Sequence, residues 1–285
     1  MLFRSGLKTQ LARVHPMRKS LVALSVLAAS AVPAVNAADY SDDIHKNDYS
    51  WSQFNLMYAV DEKGAGPESS HDYLEMEFGG RSGIFDLYGY VDVFNLTSDP
   101  DSDKDGAEKI FMKFAPRMSL DAVTGKDLSF GPVQELYLAT LMEWGGNSGV
   151  NSQKVGLGSD VMVPWLGKIG LNLYATYDSN QKDWNGYQIS TNWFKPFYFL
   201  DNGTFISYQG YIDYQFGMED DAAFQSSHGG AMFNGIYWHS DRYAVGYGLK
   251  LYNNVYGFED GAALPWAPVA DSSGVGHYFS VTYKF

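Results

Sequence analysis

The chain of 285 residues contains no cysteine, so neither disulfides nor thiolate metal sites contribute to its stability. Beyond its amino-terminal region it also lacks an apolar run of the roughly 18 residues that a transmembrane helix needs. Basic residues are few: 20 Lys and Arg against 33 Asp and Glu give a net charge of −13, which argues against nucleic acid or an anionic surface as a partner. Neither Gly-x-Ser-x-Gly nor His-Glu-x-x-His occurs, so two common hydrolase signatures are missing.

The amino terminus has the pattern of an export signal. A basic start at residues 17–19 precedes an apolar run at residues 21–34, and small residues just before Ala38 offer a cleavage site. We therefore predict a cleaved signal peptide over residues 1–37 and a single domain over residues 38–285. Cleavage would remove only basic charges and leave the mature chain still more acidic.

The carboxyl terminus reads as a β-strand with two different faces. Phe279, Val281, Tyr283 and Phe285 fall on one face, and polar side chains alternate with them, apart from Tyr278, on the other. A chain that ends on such a strand with a terminal aromatic residue is typical of bacterial outer-membrane barrels. The 21 Tyr, 18 Phe and 7 Trp are also more than the core of a soluble protein needs.

Strand patterning recurs along the whole mature chain, although a secreted β-sandwich would show the same alternation. The links favour a barrel, because they are mostly long, acidic and rich in Gly, Asp and Ser on one side and mostly short turns on the other. We predict an all-β fold, a 12-stranded antiparallel transmembrane β-barrel of the bacterial outer membrane, with both termini on the periplasmic side. The predicted strands cover residues 49–60, 71–79, 84–96, 108–120, 130–144, 154–163, 168–179, 185–195, 203–217, 230–239, 242–254 and 275–285.

Such a barrel should enclose a narrow lumen, since about 8 strands give a filled interior and about 16 to 18 an open aqueous pore. The face opposite the apolar one mixes charges of both signs with aromatic rings. Rings stack on a flat heterocycle, and charged groups bond to hydroxyls and carbonyls, so weak sites in series would speed a selected solute. The predicted lining residues are Tyr73, Glu75, Glu77, Asp86, Tyr88, Tyr90, Asp92, Lys113, Arg117, Glu135, Tyr137, Asp160, Tyr174, Tyr211, Asp213, Arg242 and Lys250.

These residues also have a purely structural interpretation. Internal salt bridges among Glu75, Asp86, Lys113 and Arg117 would equally brace the wall, and the tyrosines would fill space or lie at a membrane interface. The facing of the strands at 130–144 and 230–239 is ambiguous, because apolar and polar positions do not alternate cleanly there.

Six stretches spread through most of the mature chain form a recognisable set: DYLEME (72–77), FDLYGYVD (85–92), APRMSLD (115–121), LSFGP (128–132) followed by Glu135 and Tyr137, GLGSD (156–160) and WNGY (184–187). With them the chain resembles the Tsx-type nucleoside-specific channels. The resemblance implies a 12-stranded barrel that passes nucleosides and deoxynucleosides through an aromatic and charged slot. It also implies exposed loops that bacteriophages or bacteriocins use as receptors.

Within the matched stretches the resemblance implies lumen positions for Tyr73, Glu75, Glu77, Asp86, Tyr88, Tyr90, Asp92, Arg117, Glu135, Tyr137 and Asp160. The outer loops and the hairpin around residues 237–242 depart from the pattern of the family. We expect the loops to alter phage recognition more than transport. The hairpin bears on substrate preference, because it faces the lumen.

One acidic segment suggests a metal. Asp101, Asp103 and Asp105, followed by Gly106, match the first half of a calcium-binding loop. The twelfth position, where such a loop requires glutamate, is Met112. We therefore expect a solvated outer loop that bridges divalent cations to lipopolysaccharide rather than a specific calcium site.

Two hypotheses remain for the function. The first is a passive, substrate-selective channel that is not an enzyme and needs no cofactor; the alternative is a surface barrel that serves as a phage or bacteriocin receptor or scaffold without solute preference. A barrel hydrolase is disfavoured, because His239 has only its neighbours Ser240 and Asp241 beside it, and adjacent residues cannot form a triad without partners from elsewhere. We expect a monomer in contact with outer-membrane lipid and lipopolysaccharide.

Overall fold

The computed structural model describes residues 38–67, 69–100, 102, 104–146 and 150–285. The predicted signal peptide and two members of the calcium-like segment, Asp101 and Asp103, lie outside the described residues. No helix in the described part of the chain is long and apolar enough to cross a membrane.

The described chain forms a closed barrel of twelve antiparallel strands, as predicted. Each strand pairs with its neighbours in sequence, and the first pairs with the last from Gln53 opposite Lys284 to Val60 opposite His277. The closure leaves no sheet edge unpaired, which a membrane-spanning sheet requires. The strands are β1 Tyr49–Glu62, β2 Ser69–Ser82, β3 Phe85–Phe94, β4 in two segments Ile110–Phe114 and Arg117–Ser119, β5 Val133–Trp144, β6 Asn151–Val163, β7 Gly167–Asp178, β8 Asp183–Phe199, β9 Phe205–Phe216, β10 His228–His239, β11 Tyr243–Asn253 and β12 Gly274–Lys284.

The break in β4 falls at Ala115 and Pro116. Proline has no N–H group to donate to a ladder, so the regular pairing stops there. Both segments nevertheless pair with β3 on one side and with β5 on the other, so they form a single strand of the barrel wall.

Side chains alternate between the lipid face and the lumen. Along β12, Phe279 and Val281 are exposed on the outside, whereas Tyr278, Ser280 and Thr282 are buried on the inside. The exposed face of the other strands is likewise rich in large apolar residues, among them Leu56 and Leu157. This arrangement reverses that of a soluble β-sandwich and is expected of a barrel whose outside meets lipid.

The two ends of the barrel differ as the sequence predicted. One end, here called the short-turn end, has tight turns and one longer connection that contains the helix α1, Leu120–Thr124, capped by Ser119. The other end, the long-loop end, has the connections 95–109, 217–227 and 254–273. Strand β1 begins and β12 ends at the short-turn end, which faces the periplasm in barrels of this kind.

Several strands extend beyond their predicted limits. Strand β2 continues to Ser82 rather than stopping at residue 79, and β8 spans Asp183–Phe199 rather than residues 185–195. The extension of β2 matters for the site, because it brings Arg81 onto the lumen face.

Candidate functional site in the barrel lumen

The predicted lining residues lie on inward-facing positions of their strands, with Arg242 as the exception. Arg242 precedes β11 in an exposed turn at the short-turn end, where its guanidinium donates to the hydroxyl of Tyr283, a residue of the outer face, at 3.3 Å. Its predicted place in the lumen is therefore wrong. Strand β11 begins at Tyr243, so the inward alternation starts with Ala244.

The lumen near the short-turn end holds a network that we call the charge cluster, consisting of Arg81, Asp86, Arg117, Glu135, Tyr137, Asp160 and Lys168. Arg81 lies 2.9 Å from Glu135, and Arg117 lies 3.0 Å from Asp86 and 2.9 Å from Asp160. Lys168 also contacts Asp160, at 3.0 Å. Three cations thus balance three carboxylates, which suits the members that are removed from bulk water, that is, all the charged groups except the half-exposed Lys168.

Tyr137 lies at the centre of the charge cluster. Its hydroxyl accepts a hydrogen bond from Arg81 and donates to Asp160 at 3.1 Å, and the Arg117 guanidinium stands 4.0 Å above its ring. The side chain is 0% exposed. A ring covered on its face in this way braces the wall and offers no surface to a passing solute.

Further along the lumen, Lys113 on β4 and Asp213 on β9 form an ion pair of 2.7 Å, which we call the crossbar. Four strands, β5 to β8, separate β4 from β9 in one direction around the barrel, and six separate them in the other. The pair must therefore reach across the lumen rather than along the wall. Ser190 donates to the second oxygen of Asp213 at 2.6 Å, and Glu143 lies 3.7 Å from Lys113. Lys154 in turn contacts Glu143.

A different environment surrounds Glu75, Glu77 and Asp92, which we call the acidic wall. Neutral groups donate to the glutamates: Asn55 to Glu75 at 2.6 Å and Tyr88 to Glu77 at 2.8 Å. In the described chain no Lys or Arg nitrogen lies within 4.0 Å of these three carboxylates. Atom Oδ1 of buried Asp92 has no hydrogen-bond partner there either. This wall keeps acceptors available for a ligand.

Strands β9 to β11 carry the complementary groups. The rings of Tyr211 and Phe233 stack 5.8 Å apart at 14°. The ammonium group of Lys250 lies 5.0 Å from the ring of Tyr252 and 5.6 Å from that of Tyr278, and it makes no ion pair with a carboxylate of the described chain. A cation held over rings rather than by a carboxylate remains able to donate to a solute.

Two predicted residues face inward but are packed into the wall. Tyr174 is buried against Ala139 and Leu141, and Tyr73 is buried against Met57 and Tyr278. By contrast Tyr88, Tyr90 and Tyr211 keep part of their rings accessible. Burial therefore divides the predicted tyrosines into wall-filling residues and candidate contacts.

Sequence reasoning missed four residues of the lumen. Arg81 was placed in a turn, although its spacing of two and four from Gly79 and Glu77 continues the inward alternation. Glu143 lay on a strand of ambiguous facing, and Lys168 lay at the start of its strand. Tyr40 precedes the first strand, so no periodic signal marks it; its hydroxyl donates to Glu135 at 2.6 Å. Burial, and next the hydrogen bond to Glu135, raise the pKa of the Tyr40 hydroxyl, which stays protonated as a donor.

In the outer acidic loop, the ammonium group of Lys104 lies 3.8 Å from Glu62 and 5.3 Å from the centre of the Phe94 ring. Asp105 is exposed, and its N–H donates to the carbonyl of Ser102 at 2.9 Å. No group of three His, Asp or Glu side chains among the described residues is arranged to hold a metal.

The family model of the nucleoside-specific channel-forming protein Tsx matches residues 46–285, a range that contains all twelve strands of the barrel. The chain belongs to the Tsx family. It is 76% identical over 271 residues to outer membrane protein OmpK of Vibrio parahaemolyticus, covering 94% of this chain and 100% of that protein. It is also 31% identical over 295 residues to the nucleoside-specific channel-forming protein Tsx of Salmonella typhimurium, with 94% and 100% covered.

The Tsx-family assignment confirms the resemblance that the six stretches carry. It also confirms the outer membrane as the location of the barrel, because the matched relatives are outer-membrane and channel-forming proteins. A Tsx-family barrel is not an enzyme, so the hydrolase alternative falls. Among solved structures, the KdgM porin aligns with a TM-score of 0.44 at 12% identity, over 82% of this chain and 99% of that one.

Proposed function

We propose that this Tsx-family barrel is a channel for the passive, selective diffusion of nucleosides and deoxynucleosides. The observation that carries the proposal is the acidic wall, where three carboxyl groups with no cationic partner among the described residues lie beside the partly exposed Tyr88 and Tyr90. The name of the Salmonella relative supports the same substrate class.

Each part of a nucleoside finds a complementary group in this lumen. The sugar hydroxyls would donate to Glu75, Glu77 or Asp92, because carboxyl oxygens accept hydrogen bonds. The base would stack on Tyr90 or Tyr211, a contact worth about 1–3 kcal/mol. The Lys250 ammonium would donate to a carbonyl of the base.

The charge cluster has a different role in this proposal. Its carboxylates already have cationic partners, and Tyr137, Glu135 and Asp160 are buried. Breaking such pairs to bind a solute would leave buried charges uncompensated. We assign these residues to the frame of the channel and the acidic wall to the solute.

Passage requires sites that bind well enough to attract the solute and weakly enough to release it. The acidic wall and the groups on β9–β11 offer single hydrogen bonds and one-sided stacking, which give weak contacts. We therefore expect diffusion from one site to the next, without an energy source.

Conductance across a planar bilayer tests the proposal. Adenosine or thymidine added at sub-millimolar concentration should block the ion current of the purified barrel, whereas glucose should not. The variant Glu75→Gln/Glu77→Gln keeps the side-chain size but weakens the acceptors, so its block should need more nucleoside. Equal responses to nucleosides and glucose would leave only a general pore.

We also propose that the long-loop end serves as a receptor for bacteriophages or bacteriocins. The loops there are fastened together: Lys63 pairs with Asp271 at 2.9 Å, and the Trp266 indole donates to the carbonyl of Ala65 at 3.1 Å. Trp266 still exposes 61% of its surface, and exposed aromatic residues are frequent anchors of protein interfaces.

The receptor assay uses cells that carry the barrel in their outer membrane, where we expect it to be a monomer surrounded by lipopolysaccharide. Phages should be selected that infect these cells but not cells without the barrel. Trp266→Ala should reduce their adsorption while nucleoside block in bilayers stays unchanged. Unaltered adsorption after replacement of Trp266, Tyr256 and Phe224 together would reject this part of the proposal.

A further inference from the structure

Residues 38–48, ahead of β1, fold into a compact segment at the short-turn end, which we call the amino-terminal segment. Lys46 pairs with Asp39 at 2.6 Å and with Asp42 at 3.1 Å. The side-chain amide of Asn47 donates to the carbonyl of Asp39 at 2.9 Å. Asp39, which precedes Tyr40, is thus held by two residues that lie just before the barrel wall.

The segment is fastened to the turn between β2 and β3. Asp48 accepts a hydrogen bond from the backbone N–H of Gly83 at 2.7 Å, and its other oxygen lies 2.8 Å from Nδ1 of His45. Gly83 has a φ of +55°, the left-handed conformation that favours glycine, so the turn presents this N–H toward the segment. The base of the segment is therefore fixed to the rim of the barrel.

Tyr40 extends from this base into the lumen. Its hydroxyl donates to Glu135 at 2.6 Å and accepts from Arg81 at 2.8 Å, so it joins the charge cluster from the short-turn end. A cavity of about 180 Å³ lies beside this contact. The cavity is bordered by the segment itself and by barrel residues, namely Ala38, Asn47, Tyr49, Arg81, Glu135 and Lys168.

We propose that the amino-terminal segment is a plug that narrows the periplasmic mouth of the lumen, with Tyr40 as the side chain that holds it in place. The plug limits flux: a solute can leave at full rate only when Tyr40 releases Glu135 and Arg81. Its effect on solutes rests on the proposed channel function, but its effect on ion current does not.

The contacts are suited to reversible opening. The ion pairs of Lys46 and the His45–Asp48 pair are exposed, and exposed pairs contribute little and are screened by salt. Tyr40 contributes only its hydroxyl to the charge cluster, because Arg81 and Glu135 also contact each other directly. The segment can therefore detach while the strand pairing of the barrel stays intact.

Single-channel conductance of the full-length, membrane-inserted protein tests the plug. Tyr40→Ala and a deletion of residues 39–47 should each raise the ion conductance by about twofold, since they clear the mouth. Tyr40→Phe keeps the ring but loses both hydrogen bonds, so it should show frequent transitions between the two conductance levels. Tyr198→Ala, an exposed tyrosine of the outer face near the same end, is the matched control and should leave conductance unchanged.

The absence of cysteine provides a second measurement. Tyr40→Cys creates the only thiol in the chain, so a bulky, membrane-impermeant thiol reagent added on the periplasmic side should modify it and lower the conductance of that variant. Conductance in Tyr40→Ala and in the deletion equal to that of the unsubstituted barrel, with normal heat-modifiable gel mobility showing that both fold, would overturn the plug. If nucleosides block none of these barrels while conductance rises as expected, the channel specificity fails and the plug stands.

Discussion

At the scale of single residues, burial separates two roles for tyrosine. Tyr137 is fully covered by Arg117 and bonded at its hydroxyl, whereas Tyr90 keeps part of its ring accessible between Tyr88 and Phe111. The same side chain thus braces the wall in one place and offers a stacking surface in the other.

We predict that Tyr90→Ala weakens nucleoside block about tenfold, the effect of losing a stacking contact at the low end of its usual range. Tyr137→Phe should leave the block unchanged, because its ring remains and no solute reaches it. It should instead destabilise the barrel by about 1–3 kcal/mol, since Arg81 and Asp160 each lose a partner. Titration of the bilayer current with adenosine and denaturant unfolding in detergent measure the two effects; a tenfold weaker block in Tyr137→Phe would contradict the division of roles.

His45 gives a prediction that depends on pH. Its hydrogen bond to Asp48, and next the charge of that carboxylate, raise the pKa of His45 above its ordinary 6.5. The raised pKa means that the contribution of this pair to holding the amino-terminal segment is complete below about pH 6.5 and is lost as the pH rises through the value in the folded protein. The nearby Asp43 acts in the same direction.

An NMR titration of the His45 ring should therefore give a midpoint above 6.5 in the unsubstituted protein. Asp48→Asn should return the midpoint toward the ordinary value, whereas Asp127→Asn in a different turn should not. A midpoint that is the same with and without the Asp48 carboxylate would show that the pair does not form.

At the scale of elements, the packing of β10 against β11 depends on two glycines. A Cβ placed on Gly246 would come within 2.1 Å of the Tyr237 ring, and one on Gly248 within 2.2 Å of the Phe233 ring. The two glycines leave the space that these rings occupy on the lumen side. The hairpin of β10 and β11 is thus built around aromatic rings that lie against glycines.

Gly248→Ala should accordingly destabilise the barrel by about 1–3 kcal/mol, the usual result of overpacking. Phe233→Leu should recover part of this loss when the two are combined, because it removes the ring atoms that clash. Gly64→Ala, where nothing lies within 4 Å, is the control and should be nearly neutral. The free energy of unfolding is measured in lipid vesicles for the unsubstituted barrel, Gly248→Ala, the double variant and Gly64→Ala. Equal losses of stability in Gly248→Ala and in the double variant would exclude the packing explanation.

The sequence predicts strands and their facing far better than their partners. Alternation of period two identifies twelve strands and puts Glu75, Asp92 and Lys250 on the lumen side, because one face must meet lipid and the other must not. It does not fix where a strand stops, so the pattern alone puts Arg81 in a turn. It gives no signal for Tyr40, whose position depends on contacts with residues far along the chain.

At the scale of the whole molecule, the shape of the lumen follows from pairings that local sequence cannot specify. Lys113 and Asp213 are 100 positions apart, and only closure of the barrel brings them together. Once closed, the barrel sorts its many charges into three environments: the neutral charge cluster, the crossbar, and the acidic wall. The first two hold their ion pairs within the protein, whereas the acidic wall has no cationic partner among the described residues. Under the proposed function, the acidic wall is therefore the part that contacts the solute.

The crossbar should act as a unit that sets the width of the slot. Lys113→Met and Asp213→Asn should each raise single-channel conductance and reduce the discrimination between thymidine and glucose, because either change releases the connection across the lumen. Each single change also leaves a charge without its main partner, so each should cost stability, up to about 3–5 kcal/mol.

The double variant should be no more open than either single one and less destabilised than their sum, which is the coupling expected of a direct pair. Conductance and unfolding measured on the four proteins of this cycle give the coupling directly. Strictly additive effects on conductance and on unfolding would mean that Lys113 and Asp213 act independently, each through its own strand. The width of the lumen would then be set by the strands alone.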